Sequence, residues 1–149
     1  MQLASNKVVL KIKTDEGVQI PVYNHEGDAG ADLRANEATV IKAGERAIIG
    51  TGLYFDMPYG FEVQIRSRSG LAAKHGVFVL NSPGTIDCGY KNEIKIILQN
   101  LGKEDFVVEK GDRIAQMVVA PVCRIPFELT TVLTESDRGI GGLGSTGVK

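Results

Sequence analysis

A hydrophobic period of two, repeated in short bursts, constrains this chain more than any other feature. Val8-Val9-Leu10-Lys11-Ile12-Lys13 alternates, and Phe61-Glu62-Val63-Gln64-Ile65-Arg66 puts Phe61, Val63 and Ile65 on one face. Glu93-Ile94-Lys95-Ile96-Ile97-Leu98-Gln99 groups Ile94, Ile96 and Leu98 in the same way. Successive side chains of a strand point to opposite sides of a sheet, so a half-buried strand produces this pattern. Further strands are expected over Arg46–Ile49, Gly52–Asp56, Val77–Leu80, Asp105–Val108, Ile114–Ala120 and Phe127–Leu133. Turn signals separate them: Lys42-Ala43-Gly44-Glu45, Met57-Pro58-Tyr59-Gly60, Ser82-Pro83-Gly84, Leu101-Gly102-Lys103 and Glu109-Lys110-Gly111-Asp112. Many short strands between Gly/Pro turns predict an all-β sandwich or barrel. Only Gly70 to His75 has room for a helical turn, with Gly76 as its stop.

At 149 residues, one domain with a substantial core is expected. A net charge of −1 provides no basic field for nucleic acid, so no nucleic-acid partner is expected. An anionic ligand must therefore be held by local arginines, backbone N–H groups or a metal. The longest apolar runs, such as Met117 to Val122, are too short to span a membrane. The first residues carry no charged-then-apolar secretion pattern. Cys88 and Cys123 show no C-x-x-C spacing, which argues against a zinc site or a disulfide framework. A reduced, cytoplasmic protein without a membrane partner is the expectation.

Five segments are not explained by alternation, and all lie at turns or expected strand ends. In Asp28-Ala29-Gly30-Ala31-Asp32-Leu33, small residues crowd two carboxylates. Alone, Asp28 and Asp32 read as turn residues. Arg66-Ser67-Arg68-Ser69-Gly70-Leu71 ends a strand in alternating cations and hydroxyls. Continued alternation would put Arg66 and Arg68 on one face, with Ser69 capping the following turn. Such a place suits an anion or is simply a solvated strand end, in even balance. Asn81-Ser82-Pro83-Gly84-Thr85-Ile86-Asp87-Cys88-Gly89-Tyr90 reads as a hairpin exposing a fixed row of backbone donors and acceptors. Asp87 alone is a turn aspartate and Tyr90 a packed aromatic. Gly111-Asp112-Arg113-Ile114-Ala115-Gln116 leads into a buried strand, where Gln116 must find partners.

The fifth segment is Arg138-Gly139-Ile140-Gly141-Gly142-Leu143-Gly144-Ser145-Thr146-Gly147. Its five glycines argue against a stable helix or strand, because each loses much backbone entropy when fixed. It begins with an arginine and ends in hydroxyls, groups that grip phosphate. A frayed tail is the plain alternative. The expectation is an arm, loose when empty, that orders over a phosphorylated ligand. Other chemistry is absent: His25-Glu26-Gly27 is not H-E-x-x-H, and there is no Walker lysine motif or G-x-S-x-G elbow. His25 and His75 lie in turn-like segments and are read as solvent-facing.

In this order the five segments resemble the five motifs of the trimeric dUTPases: A-G-x-D-L, R-S-G-L-A, G-x-I-D-x-x-Y, G-D-R-I-A-Q and R-G-x-G-G-F-G-S-T-G. The match runs from Ala29 to Gly147. The resemblance implies a jelly-roll-like β-clip or sandwich over residues 1–137 and a flexible C-terminal arm over 138–149. It also implies a homotrimer whose active sites are shared between subunits. The activity implied is dUTP diphosphatase: a hydrolase producing dUMP and pyrophosphate, keeping uracil out of DNA and supplying dUMP for dTTP synthesis.

Carried over by position, Asp87 activates the water that attacks the α-phosphorus. Tyr90 lies against the sugar and excludes a ribose 2′-hydroxyl. Asn81 and the backbone of Thr85, Ile86 and Asp87 read the acceptor–donor–acceptor edge of uracil. Arg68, Ser69 and Gly70 hold the phosphates, Gln116 supports them and their waters, and Lys95 lines the nucleotide pocket. The cofactor implied is Mg2+, chelated by the triphosphate and touched by Asp32 only through water, with no direct protein ligand. Arg138, Leu143, Gly144, Ser145 and Thr146 close over the substrate.

This chain departs from the family pattern in three places. Leu143 stands where a phenylalanine usually stacks on uracil. Ser67 replaces a common proline, which is expected to loosen that strand end. Asn92 replaces a common glycine and is expected to tolerate positive φ. Competing readings are dCTP deaminase, against which R-S-G at Arg68–Gly70 speaks, a dUTP-sensing module, and a plain structural β-sandwich.

Overall fold

The computed structural model describes residues 8–147. Parts of the expected domain (1–7) and arm (148–149) lie outside the described residues. Eleven strands and one short helix follow the order β1 (Lys11–Thr14), β2 (Ala31–Arg34), β3 (Thr39–Ile41), β4 (Arg46–Gly50), β5 (Leu53–Asp56), β6 (Phe61–Arg66), α1 (Ser69–His75), β7 (Val77–Val79), β8 (Gly84–Ile86), β9 (Lys95–Asn100), β10 (Phe106–Val108) and β11 (Arg113–Pro121). They form four small antiparallel sheets: β1-β5, β10-β3, β2-β11-β6-β8 and β4-β9-β7. The result is an all-β, jelly-roll-like fold.

Alternation operates as read. Val63 and Ile65 on β6 are buried, as are Ile94 and, on β9, Ile96 and Leu98. They meet Leu33, Ile49, Phe55 and Ile114 in one core. The buried Asn100 is fully satisfied: its Nδ2 donates to the carbonyls of Ile41 (2.8 Å) and Glu104 (2.9 Å), and its Oδ1 accepts from Gly102 N–H (2.8 Å). It fastens β3 to the turn after β9, and truncating it would leave two carbonyls without their donor.

On β11 the adjacent Ile114 and Ala115 are both buried, which simple alternation forbids. A register shift between Arg113 and Ala115 explains it. Beyond that bulge Ala115 and Met117 face the core, and Gln116 faces the other side of the sheet. The helix ends where expected: Gly76 is left-handed (φ 67), and a Cβ there would approach Gly102 N to 2.9 Å.

Three expectations are corrected. Phe127–Leu133 is not a strand: Phe127, Leu129, Val132 and Leu133 are exposed, and no strand among the described residues pairs with them. The segment around Pro83 is not a two-stranded hairpin, since β7 pairs with β9 while β8 pairs with β6. Ser69 does not cap the helix; Arg68 is the N-cap residue and no side-chain cap bond forms. Asn92 is not called on for the positive φ it was expected to tolerate, since among the described residues only glycines show it. β3 carries no alternation that marks it as a strand, and β2 lies where Asp28 and Asp32 suggest a turn.

Candidate active site

The sheet β2-β11-β6-β8 builds the site's polar half. Its registers set Gln116 opposite Asp32 on one side and Arg66 on the other. Directly opposed residues share a face, so three of the five sequence segments meet in one row. Gln116 Nε2 donates to the Ser67 carbonyl at 2.9 Å, which answers its need for a partner. The strand ends at Arg66, so Arg66 and Arg68 do not continue one alternation. Arg66 Nε and Nη2 donate to Gln64 Oε1, while Arg68 turns back over Asp32.

Arg68 Nε donates to Asp32 Oδ1 at 2.9 Å, and its Nη1 donates to the Arg113 carbonyl at 3.0 Å. Arg113 Nη1 stands 3.5 Å from Asp32 Oδ2. One half-buried carboxylate thus faces two guanidiniums, which leaves the cluster positive and ready for an anion. Arg113 lies in the Gly111–Gln116 segment, whose sequence assigns it no role. Its place opposite β2, across a bulge, is information that only pairing supplies. Ser69 and Gly70, the first residues of α1, are exposed beside this cluster.

Ser67 does not loosen the strand end. Its Oγ accepts Val79 N–H at 2.9 Å and lies 3.2 Å from Ser82 Oγ. The hydroxyl replaces proline's stiffness by tying the end of β6 to β7 and to the turn that carries Asn81.

The second half of the site sits elsewhere. β8 is the edge strand of its sheet, so among the described residues nothing pairs with the outer backbone edge of Thr85 and Ile86. Asn81 lies before it, with its Nδ2 3.4 Å from where a Cβ on Gly84 would stand. Asp87 follows β8, exposed, and lines a cavity with Tyr59, Phe61, Cys88 and Arg124. Tyr90 is 39% exposed and is no packed aromatic; its hydroxyl donates to the Glu93 carbonyl at 3.0 Å. Lys95 opens β9, exposed, with Nζ 3.8 Å from Glu93 Oε2.

Ile86 pairs with Val63, three residues before Arg66. At about 3.3 Å per residue, Asp87 lies about 13 Å along β6 from the Gln116 row. Within the single chain the structure therefore does not bring Asp87 to Arg68 and Gln116.

Arg138, Leu143, Gly144, Ser145 and Thr146 are exposed, and the arm's backbone hydrogen bonds are local turns such as Gly141 N to the Arg138 carbonyl. A cavity of about 340 Å³ opens beside Asp32, bounded by Gly17–Val22, Arg34, Asn36 and Lys110. No group of three metal-ligating side chains occurs among the described residues.

Comparison with known proteins identifies the family. The sequence pattern of the dUTPase family matches residues 16–147. A deoxyuridine 5′-triphosphate nucleotidohydrolase of Clostridium acetobutylicum is 58% identical over 143 residues, covering 95% of this chain and 99% of that protein. The enzyme of the same description from Rickettsia felis is 57% identical, covering 93% and 97%. Among solved structures, the Staphylococcus bacteriophage 80alpha dUTPase with dUPNHPP superposes with a TM-score of 0.86 at 27% identity, covering 94% of this chain and 99% of that one.

Proposed function

The chain belongs to the dUTPase family, and from that premise we propose how its residues divide the hydrolysis of dUTP to dUMP and pyrophosphate. Asp87 takes a proton from the water that attacks the α-phosphorus; a positioned base of this kind contributes about 10² to 10⁴ in rate. Arg68, Ser69 and Gly70 hold the phosphates, with Arg113 added to them, and Gln116 orders the phosphates and their waters. Thr85 and Ile86 present uracil with the free edge of β8, helped by Asn81, and Tyr90 stands against the sugar. Lys95 lines the nucleotide pocket.

The donor set fits Mg2+ carried by the substrate. The described residues form no cage of their own, and Asp32, spanned by Arg68 and Arg113, keeps lone pairs for metal-bound water. Bound to the triphosphate, Mg2+ spreads the charge that develops on the leaving pyrophosphate.

The observation that carries the assembly is the separation of Asp87 from the Arg68–Gln116 row. A complete site needs residues from more than one copy, which supports a homotrimer with shared sites. Two further features favour it. The outer face of β4-β9-β7 leaves Ile48 62% exposed and Leu80 44% exposed. The extended segment after Pro121 exposes Ile125, Phe127 and Leu129. An arm over residues 138–149, whose described part makes only local turn bonds, reaches a neighbour's site and closes Arg138, Leu143, Gly144, Ser145 and Thr146 over the substrate. Free Cys88 and Cys123 suit a reducing cytoplasm, and the near-neutral charge suits an enzyme without nucleic-acid or membrane partners.

The test is pyrophosphate release with Mg2+ from dUTP beside dCTP, UTP and dTTP, with an EDTA control. Release from dUTP alone, lost with EDTA, supports the assignment. Asp87→Asn is expected to abolish turnover while keeping dUTP binding; normal turnover in that variant removes Asp87 from its role.

A further inference from the structure

Glu93 lies between Tyr90 and Lys95 and has no part in the division of roles above. Its side chain is only 23% exposed. Oε1 accepts Gly52 N–H at 3.0 Å, at the corner between β4 and β5. Gly50 makes that reach possible: a Cβ there would collide with Oε1 and stand 3.2 Å from Cδ. Oε2 faces Lys95, and the main-chain carbonyl holds the Tyr90 hydroxyl.

The next residue is fastened to the same corner. Ile94 O accepts both Thr51 N–H (3.2 Å) and Thr51 Oγ1 (2.6 Å), and Ile94 N–H donates to Leu53 O at 2.8 Å. Main-chain bonds at Ile94 and a side-chain bond at Glu93 thus grip one short stretch from two directions. The phenol of Tyr90 is tethered to that stretch. A ring that excludes one hydroxyl group from a sugar must not tilt, because a small tilt opens the needed space.

We propose that Glu93 is a positioning residue for deoxyribose selectivity: its carboxylate, clamped to Gly52, fixes the carbonyl that holds Tyr90 against the sugar. The proposal rests on the reading of Tyr90 as the sugar wall. Glutamine at position 93 preserves an oxygen for Gly52 N–H, whereas alanine removes it.

Steady-state kinetics on dUTP and UTP test this with four variants of the full-length protein. Glu93→Ala is expected to raise the relative kcat/KM for UTP about tenfold, through KM, with kcat on dUTP little changed. Glu93→Gln is expected to keep the wild-type ratio, and loss of selectivity there overturns the clamp. Tyr90→Leu tests the underlying reading. If it still rejects UTP, the sugar-wall reading fails and the proposal falls with it. If Tyr90→Leu admits UTP while Glu93→Ala does not, the Glu93 proposal alone is overturned. Should Glu93→Ala fail to fold, Tyr90→Phe, which removes only the tethering hydroxyl, decides: relaxed selectivity supports the clamp and retained selectivity overturns it.

Discussion

Replacing Gly30 with alanine adds one methyl group where the chain entering β2 passes Gln116. A Cβ at Gly30 would collide with Gln116 Oε1 and stand 3.3 Å from Cδ and 3.7 Å from Cβ. Gly30 is not among the glycines with positive φ, so alanine's backbone fits there without strain. Relief comes from the flexible end of Gln116, which must swing away and break its 2.9 Å bond to the Ser67 carbonyl. That bond is worth about 1 kcal/mol net. The lower entropy of the unfolded alanine chain offsets about 0.5 kcal/mol of it. The expected loss of melting temperature is therefore only about 3 °C or less. Under the proposed role of Gln116, activity is expected to suffer far more, because the displaced amide leaves the phosphates. A hydrogen bond to a charged group is worth about 2 kcal/mol, which is about thirtyfold in kcat/KM. Pyrophosphate release and calorimetry on Gly30→Ala, Gln116→Ala and the double variant measure both quantities. In the Gln116→Ala background, Gly30→Ala should cost almost nothing further. Near-normal activity in Gly30→Ala, or a melting loss above about 10 °C, refutes the reasoning.

Ending the chain before Arg138 is expected to slow dUTP turnover severely while leaving the melting temperature unchanged, because residues 138–147 are exposed and make only local turn bonds; normal turnover would refute the arm's role. Leu143→Phe is expected to tighten dUTP binding by about 1 kcal/mol in a titration, since base–aromatic stacking is worth about 1–3 kcal/mol and leucine already supplies apolar contact; unchanged affinity places Leu143 away from the base. The Lys91 ammonium donates a 2.6 Å hydrogen bond to Asp56 and attracts its charge, which holds that carboxyl below its ordinary value. A lowered folded value means stability that is present above the ordinary carboxylate range and is lost as pH falls through the lowered value. Lys91→Met should therefore move the Asp56 titration upward in an NMR pH series, and an unmoved titration counts against the pair.

Much of the fold was legible because burial on one face leaves its period in the chain. Val63, Ile65, Ile94, Ile96 and Leu98 announced their strands, and Gly76 announced the end of the helix. Phe127–Leu133 begins with the same alternation and forms no strand, since alternation reports a face meant for burial and not the presence of a partner. Ser67 misled for a different reason: whether a hydroxyl loosens or ties a strand end depends on what lies across from it, here Val79 and Ser82.

The site divides along the same line. The residue types that can activate water, grip phosphate and admit a flat base stood in five ordered segments, and their chemistry was readable there. Asp32 and Arg68 are 36 positions apart, and Ser67 and Gln116 are 49 apart. Their meeting depends on strand register, including one bulge at the start of β11. The same registers keep Asp87 about 13 Å along the strand from that cluster. Local pattern therefore determined the elements and the available chemistry, because both are properties of neighbouring residues. Which groups meet was decided only by the tertiary structure, because pairing is settled by the burial of the whole chain at once.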